Sequence, residues 1–227
     1  MKLCAALDCE SAEKNLAIVK KLRSLDLWFK IGLSGFIRDG WKFVNEVKRV
    51  SGAPIFMDLK LYDIPNTISD AALAIAEGGA DMFNVHASAG VKAMSAVMER
   101  LSALKTRPLV LAVTALTSFS ADEFAEIYNR SVEGGAVEMA RSARNAGLDG
   151  VVCSAYESRA IKSVCGDDFI TLCPGIRFEG GETNDQSRVA TPQTAALEKC
   201  DFIVMGRAIL SSTDPKAAAL KALSAIC

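Results

Sequence analysis

The sequence has no long hydrophobic run. Its longest uninterrupted apolar stretch reaches only from Ala71 to Ala76, far short of the ~20 residues that cross a bilayer. The opening Met1-Lys2-Leu3-Cys4-Ala5-Ala6-Leu7-Asp8 meets an acid before a signal-peptide core is complete, so a cytoplasmic protein is expected. An excess of either charge is missing too: 26 Lys and Arg stand against 27 Asp and Glu, a net charge of −1. No global positive field draws nucleic acid or an anionic membrane, and neither is expected as a partner. A local cationic site for a small anion stays open. Cys-x-x-Cys pairs are absent from the seven cysteines, and the count is odd, which argues against a disulfide framework or a zinc site. Histidine is reduced to His86, to which no role is assigned. No grouping of His, Cys and carboxylates has metal spacing, so no metal is expected.

What is present is an alternation of short apolar runs with longer segments of helical period, in a composition that is 50% hydrophobic and 23% charged. The runs are Leu3 to Leu7, Leu27 to Ile31, Pro54 to Leu59, Asp81 to Val85, Pro108 to Val113, Gly150 to Cys153, Phe169 to Cys173 and Phe202 to Met205. They are continuous rather than alternating, as expected of parallel strands buried on both faces. Between them lie helix signals: Ser11 as a cap, Phe36 to Val50, Pro65 at a first turn, Val91 to Leu104, a Ser120-x-x-Glu123 capping box, Ser131 to Ala146, Tyr156 to Val164, Thr191-Pro192, and Arg207 to Ala225. The fold expected is a (β/α)8 TIM barrel, one domain over residues 1–227. An open doubly wound sheet gives the same alternation, but no G-x-G-x-x-G follows the first run, where Asp8-Cys9-Glu10-Ser11 stands.

Charge falls where a buried strand should have none. Asp8 ends the first strand, Lys30 lies inside Leu27-Trp28-Phe29-Lys30-Ile31, and Asp58 and Lys60 end the third. An unpaired buried ion costs several kcal/mol, so such groups are paired or lie at a mouth. All four fall near the C-terminal ends of their strands, the rim that carries the active site of a β/α barrel. Period-two alternation turns Asp58 and Lys60 to one side and Leu59 to the other. Asp63 follows just past the strand. These charges read either as an ion-pair network that fixes the barrel or, as favoured here, as a site.

A second group follows strands seven and eight: Arg177 in Pro174-Gly175-Ile176-Arg177, then Gly206-Arg207 at the start of the last helix. Loops at these positions frequently bind phosphate through backbone N–H groups, a helix N-terminus and a guanidinium. Between them, Gly180 to Gln186 reads as a lid with a polar tip or a plain surface loop.

The run Asp58-Leu59-Lys60-Leu61-Tyr62-Asp63-Ile64-Pro65-Asn66-Thr67 closely resembles the Asp-x-Lys-x-x-Asp signature of the orotidine 5′-phosphate decarboxylases. Leu7-Asp8, Phe29-Lys30-Ile31-Gly32, Val113-Thr114 with Leu116-Thr117-Ser118, Pro174-Gly175-Ile176-Arg177, Asp185-Gln186-Ser187-Arg188 and Val204-Met205-Gly206-Arg207 resemble that family in order and spacing. The resemblance implies a homodimeric barrel that converts orotidine 5′-phosphate to uridine 5′-phosphate and carbon dioxide with no cofactor. It implies Lys60 as proton donor to C6, Asp58 beside the departing carboxylate, and Lys30 and Asp8 on ribose hydroxyls. Asp63, with Ile64 and Thr67, would complete the partner subunit's site. Thr117 would meet the pyrimidine, and Arg177, Gln186, Gly206 and Arg207 the phosphate. Two other readings stay open: a metal-dependent decarboxylase of a sugar-acid phosphate, which has a similar Asp-x-Lys-x-x-Asp strand but an early carboxylate where Lys30 stands, and a barrel that senses a nucleotide without catalysis.

Overall fold

Strands covered on both faces bury every side chain, and the apolar runs satisfy that requirement at eight places. In the computed structural model, which describes residues 1–180 and 188–226, they form β1 (Lys2–Ala6), β2 (Trp28–Gly32), β3 (Ile55–Leu61), β4 (Met82–His86), β5 (Leu109–Val113), β6 (Gly150–Val152), β7 (Ile170–Cys173) and β8 (Phe202–Met205). Each strand pairs in parallel with the next, and β8 pairs with β1. The sheet is a closed barrel, as the sequence leads one to expect. The helices are α1 (Ala12–Leu22), α2 (Leu33–Ser51), α3 (Pro65–Glu77), α4 (Gly90–Leu101), α5 (Ala121–Tyr128), α6 (Val132–Asn145), α7 (Ala155–Cys165), α8 (Pro192–Leu197), α9 (Arg207–Leu210) and α10 (Pro215–Ala225). Among the described residues, no helix is long and apolar enough to cross a membrane.

Alternation sorts each strand into two cores. Cys4, Ala6, Phe56, Met82, Leu111, Val113, Val152, Leu172, Phe202 and Val204 fill the barrel. Leu3, Ala5, Phe29, Ile31, Ile55, Met57, Phe83 and Val85 belong to the outer layer under the helices. Helix starts follow local chemistry. The Ser11 hydroxyl accepts from the Lys14 amide at 3.3 Å. Ser120 and Glu123 form the expected capping box on α5, and Pro65 opens α3.

The N-terminal end of the barrel is tied by carboxylates just before alternate strands. Asp81, Asp149 and Asp201 accept from the backbone amides of Ile55, Val110 and Thr171, each at 2.8 Å. They also pair with Lys48, Arg107 and Lys162. Such ties serve stability, because the chemistry of this fold sits at the other end.

Two expectations need correction. The segment from Arg207 to Ala225 is not one helix but two, α9 and α10. Pro215 lacks an N–H and disfavours a helical residue before it. Asp214 takes the extended conformation and accepts from the amides of Lys216 and Ala217 at 3.0 and 3.1 Å. The third strand does not stop at Leu59 but continues to Leu61, carrying Lys60 within it.

Candidate active site

Neighbouring strands place their inward positions side by side, and this gathers the charges. Ala6 stands beside Lys30, and Gly32 beside Asp58. Lys30 is 8% exposed. Its ammonium lies 3.4 Å from Asp8 Oδ1 and 3.3 Å from Asp58 Oδ2. The other oxygen of Asp58, Oδ1, accepts from Lys60 Nζ at 2.6 Å. The result is a row, Asp8–Lys30–Asp58–Lys60, of alternating sign. A Cβ on Gly32 would stand 3.0 Å from Lys30 Nζ, so the absence of a side chain there leaves room for the cation.

The row sets the ionisation of its members. Burial alone would depress the Lys30 ammonium, but Asp58 and then Asp8 overcome it and hold its pKa above the ordinary value. Burial would likewise raise Asp58, but Lys30 and Lys60 hold that carboxyl down to about 2. Asp58 is therefore an anion and Lys30 a cation throughout the physiological range.

Leu59 packs into the outer layer and Asp58 turns inward, as alternation requires. The backbone gets there irregularly. Met57 pairs with Phe83 and Leu61 with Val85, so β3 advances four residues while β4 advances two. Inside this bulge Lys60 has φ of +52°, a left-handed conformation uncommon for a residue with a side chain. Sequence reasoning missed the residue opposite. Asn84, on β4 and fully buried, accepts from the Lys60 amide at 2.7 Å and donates to Asp58 Oδ1 at 2.8 Å. Its signal was available: it is a polar residue inside Met82-Phe83-Asn84-Val85.

Asp8, Lys30, Asp58 and Lys60 share one cavity of about 490 Å³ with Thr117, Arg177, Gly206 and Arg207. That volume suits a small-molecule site. Arg177 is 8% exposed. Burial, and then repulsion from Arg207, lowers its pKa. Its Nη1 donates to the Ile176 carbonyl at 2.9 Å, while its Nε has no partner among the described residues. Two crowded guanidiniums at one cavity suit an anion. Because α9 is only four residues long, a helix dipole contributes little here. A Cβ on Gly206 would meet Ala6 and Asp8 at ordinary contact, 3.6 and 3.7 Å. Packing against the protein therefore does not demand glycine there.

Arg188, a second residue that sequence reasoning did not assign, pairs with buried Glu157. It also donates to the carbonyls of Ala115 and Leu116 at 3.4 and 3.3 Å, tying residue 188 to the loop after β5 that carries Thr117. Residues 181–187, which include Gln186 and all of the expected lid but Gly180, lie outside the described residues. Asp63, Ile64 and Thr67 do not enter the cavity. Asp63 and Ile64 line a shallow exposed concavity with Tyr62, Pro65, Ser88 and Ala89, and Thr67 is exposed on the first turn of α3. His86 accepts from the Ser88 amide at 3.2 Å, capping a short turn. Among the described residues, no group of three His, Cys, Asp or Glu is set to hold a metal.

Comparison with known proteins agrees with this geometry. The family model described as "Orotidine 5′-phosphate decarboxylase / HUMPS family" matches residues 1–222. The orotidine 5′-phosphate decarboxylase of Sulfurovum sp. (strain NBC37-1) is 54% identical over 217 residues, covering 95% of this chain and 94% of that one. That of Nautilia profundicola is 54% identical over 228 residues, covering 100% and 99%. Among solved structures, orotidine 5′-phosphate decarboxylase from Lactobacillus acidophilus superposes with a TM-score of 0.85 at 32% identity, covering 99% of this chain and 98% of that one. With a closed barrel and this row of charges at its C-terminal mouth, the chain belongs to the orotidine 5′-phosphate decarboxylase / HUMPS family.

Proposed function

We propose that Lys60 is the proton donor in the decarboxylation of orotidine 5′-phosphate to uridine 5′-phosphate, the reaction this enzyme carries out. The bond from C6 to the carboxyl carbon breaks, carbon dioxide leaves, and the electron pair stays on C6. The Lys60 ammonium then gives its proton to C6 and regains one from solvent. The observation that carries this reading is the row of four charges in the same cavity as Arg177 and Arg207. The row holds fixed charge for a developing carbanion; the two arginines hold cations for a phosphate.

The carbanion is poorly stabilised by resonance, so a nearby ammonium helps most after carbon dioxide has begun to leave. Asp58 keeps Lys60 in place and stands where the substrate carboxylate would be repelled. Lys30 and Asp8 hold the ribose hydroxyls, Thr117 contacts the pyrimidine, and Arg177, Arg207, Gly206 and Gln186 take the phosphate.

The same reading makes the protein a cytoplasmic homodimer. Asp63, Ile64 and Thr67 lie outside their own chain's cavity, and Tyr62 and Ile64 are largely exposed apolar side chains beside them. A second copy covering this surface would receive Asp63 into its own site and bury the two side chains.

An absorbance assay of orotidine 5′-phosphate, with and without chelator, tests the assignment. The wild type should turn over equally in both, and Lys60→Ala should be folded and inactive. Loss of wild-type activity in chelator would favour a metal-dependent decarboxylase, and near-normal activity in Lys60→Ala would remove Lys60 from the donor role.

A further inference from the structure

We propose that Asn84 is a positioning residue for the reaction, its side-chain amide locking the Asp58 carboxylate to the Lys60 backbone so that the ammonium points to one place. This rests on Lys60 as proton donor.

The bulge in β3 creates the need. Residues 58 to 60 have no regular ladder partners on β4, because four residues of β3 are spanned by two of β4. A buried amide without an acceptor is costly. A left-handed residue bearing a side chain costs roughly 1–2 kcal/mol and persists only where its surroundings enforce it. Asn84 meets both conditions. Its Oδ1 takes the Lys60 N–H at 2.7 Å, and its Nδ2 donates to Asp58 Oδ1 at 2.8 Å. The two partners fix the amide's orientation, since only oxygen can face the N–H and only nitrogen the carboxylate.

The consequence is electrostatic as well as steric. Asp58 Oδ1 receives donors from Asn84 and Lys60, and Oδ2 faces Lys30 at 3.3 Å. The carboxylate plane is therefore set by three contacts, and the two ammonium groups are held on opposite oxygens. Leucine at 84 would fill the space without either hydrogen bond. Aspartate would keep the acceptor for Lys60 and put a like charge against Asp58.

That last property supplies the test. In Asn84→Asp, two carboxylates meet across a hydrogen-bond distance and share a proton, so one titrates well above the ordinary range. When protonated, the new side chain donates to Asp58 as the amide does; when ionised, it repels. The Asn84 amide touches Asp58 and the Lys60 backbone on β3; beyond Asp58 the row continues to Lys30 on β2 and Asp8 after β1, His86 lies two residues further along β4, and β5 sets Leu111 and Val113 beside Asn84 and His86. The wild type contains all of these, so a pH limb absent from the wild type belongs to position 84.

The measurement is kcat against pH for wild type, Asn84→Asp and Asn84→Ala, with binding of uridine 5′-phosphate measured alongside. The proposal expects product binding close to wild type and kcat lowered roughly tenfold or more in both variants, the size of a lost hydrogen bond to a charged group. It also expects Asn84→Asp alone to recover as pH falls. Wild-type kcat in the variants overturns it. So does a parallel loss of kcat and product binding, the mark of a merely structural role, or a loss in Asn84→Asp without the new pH limb. If Asn84→Ala does not fold, the isosteric Asn84→Asp decides alone. Failure of the wild type to decarboxylate orotidine 5′-phosphate would instead refute the functional reading.

Discussion

Replacing Asp58 by Asn removes one negative charge from between two ammonium groups, and its effect on stability has a calculable pH dependence. The Asp58 side chain is 15% exposed, so solvent screens it little. Its folded pKa is about 2 against an unfolded value of 3.8. In the interval between those values the unfolded chain binds more protons than the folded one, so stability rises with pH there. The contribution is complete above the unfolded value and is lost as pH falls through the folded one. At 1.36 kcal/mol per pKa unit the depression amounts to about 2 kcal/mol. Roughly half of it should be gone by about pH 3. The assay is equilibrium urea unfolding of wild type and Asp58→Asn at one fixed protein concentration, from about pH 6 down to about pH 3. Wild type should be the more stable at the upper end, and the gap should narrow by about 1 kcal/mol across the range. A gap that stays constant would show that Asp58 is not held as an anion by Lys30 and Lys60. A gap that widens as pH falls through about 5 would place its folded pKa above the unfolded one, with burial winning over the two cations.

The other predictions concern binding and assembly. Arg207→Ala should weaken binding of uridine 5′-phosphate roughly tenfold or more by loss of a charge-assisted contact, while leaving binding of uridine nearly unchanged; equal weakening of both in a calorimetric titration would refute the phosphate assignment. Inactive Lys60→Ala and Asp63→Ala chains, mixed under conditions of demonstrated subunit exchange, should regain some activity, because one hybrid site then has Lys60 from one chain and Asp63 from the other. Exchange without recovery would mean that Asp63 serves its own chain.

The barrel was legible because eight apolar runs alternating with helical segments leave few architectures, and the charged row was legible because carboxylates and ammonium groups are expensive inside a strand. The same signal marks Asp81, Asp149 and Asp201, which tie the opposite end of the barrel. Their place before a strand, rather than at its end, separates the two cases. Asn84 escaped because it carries no charge, although its burial among Met82, Phe83 and Val85 is as anomalous as that of Lys30. The break between α9 and α10 was written in Asp214-Pro215, a cap followed by a proline, and was overridden by the apolar pattern on both sides. The left-handed turn at Lys60 had no local signal, since no glycine stands there. It follows from the mismatch in length between β3 and β4, which is a property of the pair.

The two ends of the cavity are unequally satisfied, and that inequality bears on how the reaction is driven. At the reacting end, Asp58 has three partners and Lys30 two carboxylates. On the proposed reading a substrate carboxylate arriving here meets Asp58, and like charges ~4 Å apart repel by about 4 kcal/mol at an effective dielectric near 20. This end therefore cannot supply the attraction that brings the substrate in. At the far end, Arg177 is buried beside another guanidinium, its pKa lowered, and its Nε unpartnered among the described residues. An anion there relieves a repulsion already present, so on the proposed reading the phosphate is the part of the substrate that binds most favourably. The reacting end stays rigid because its groups are already held by one another, and a fixed ammonium becomes most useful only when the carboxylate has gone and charge has moved to carbon. The proposed reading thus separates binding from chemistry within one cavity, and the repulsion between Asp58 and a substrate carboxylate is tolerated because the affinity is generated at the arginines.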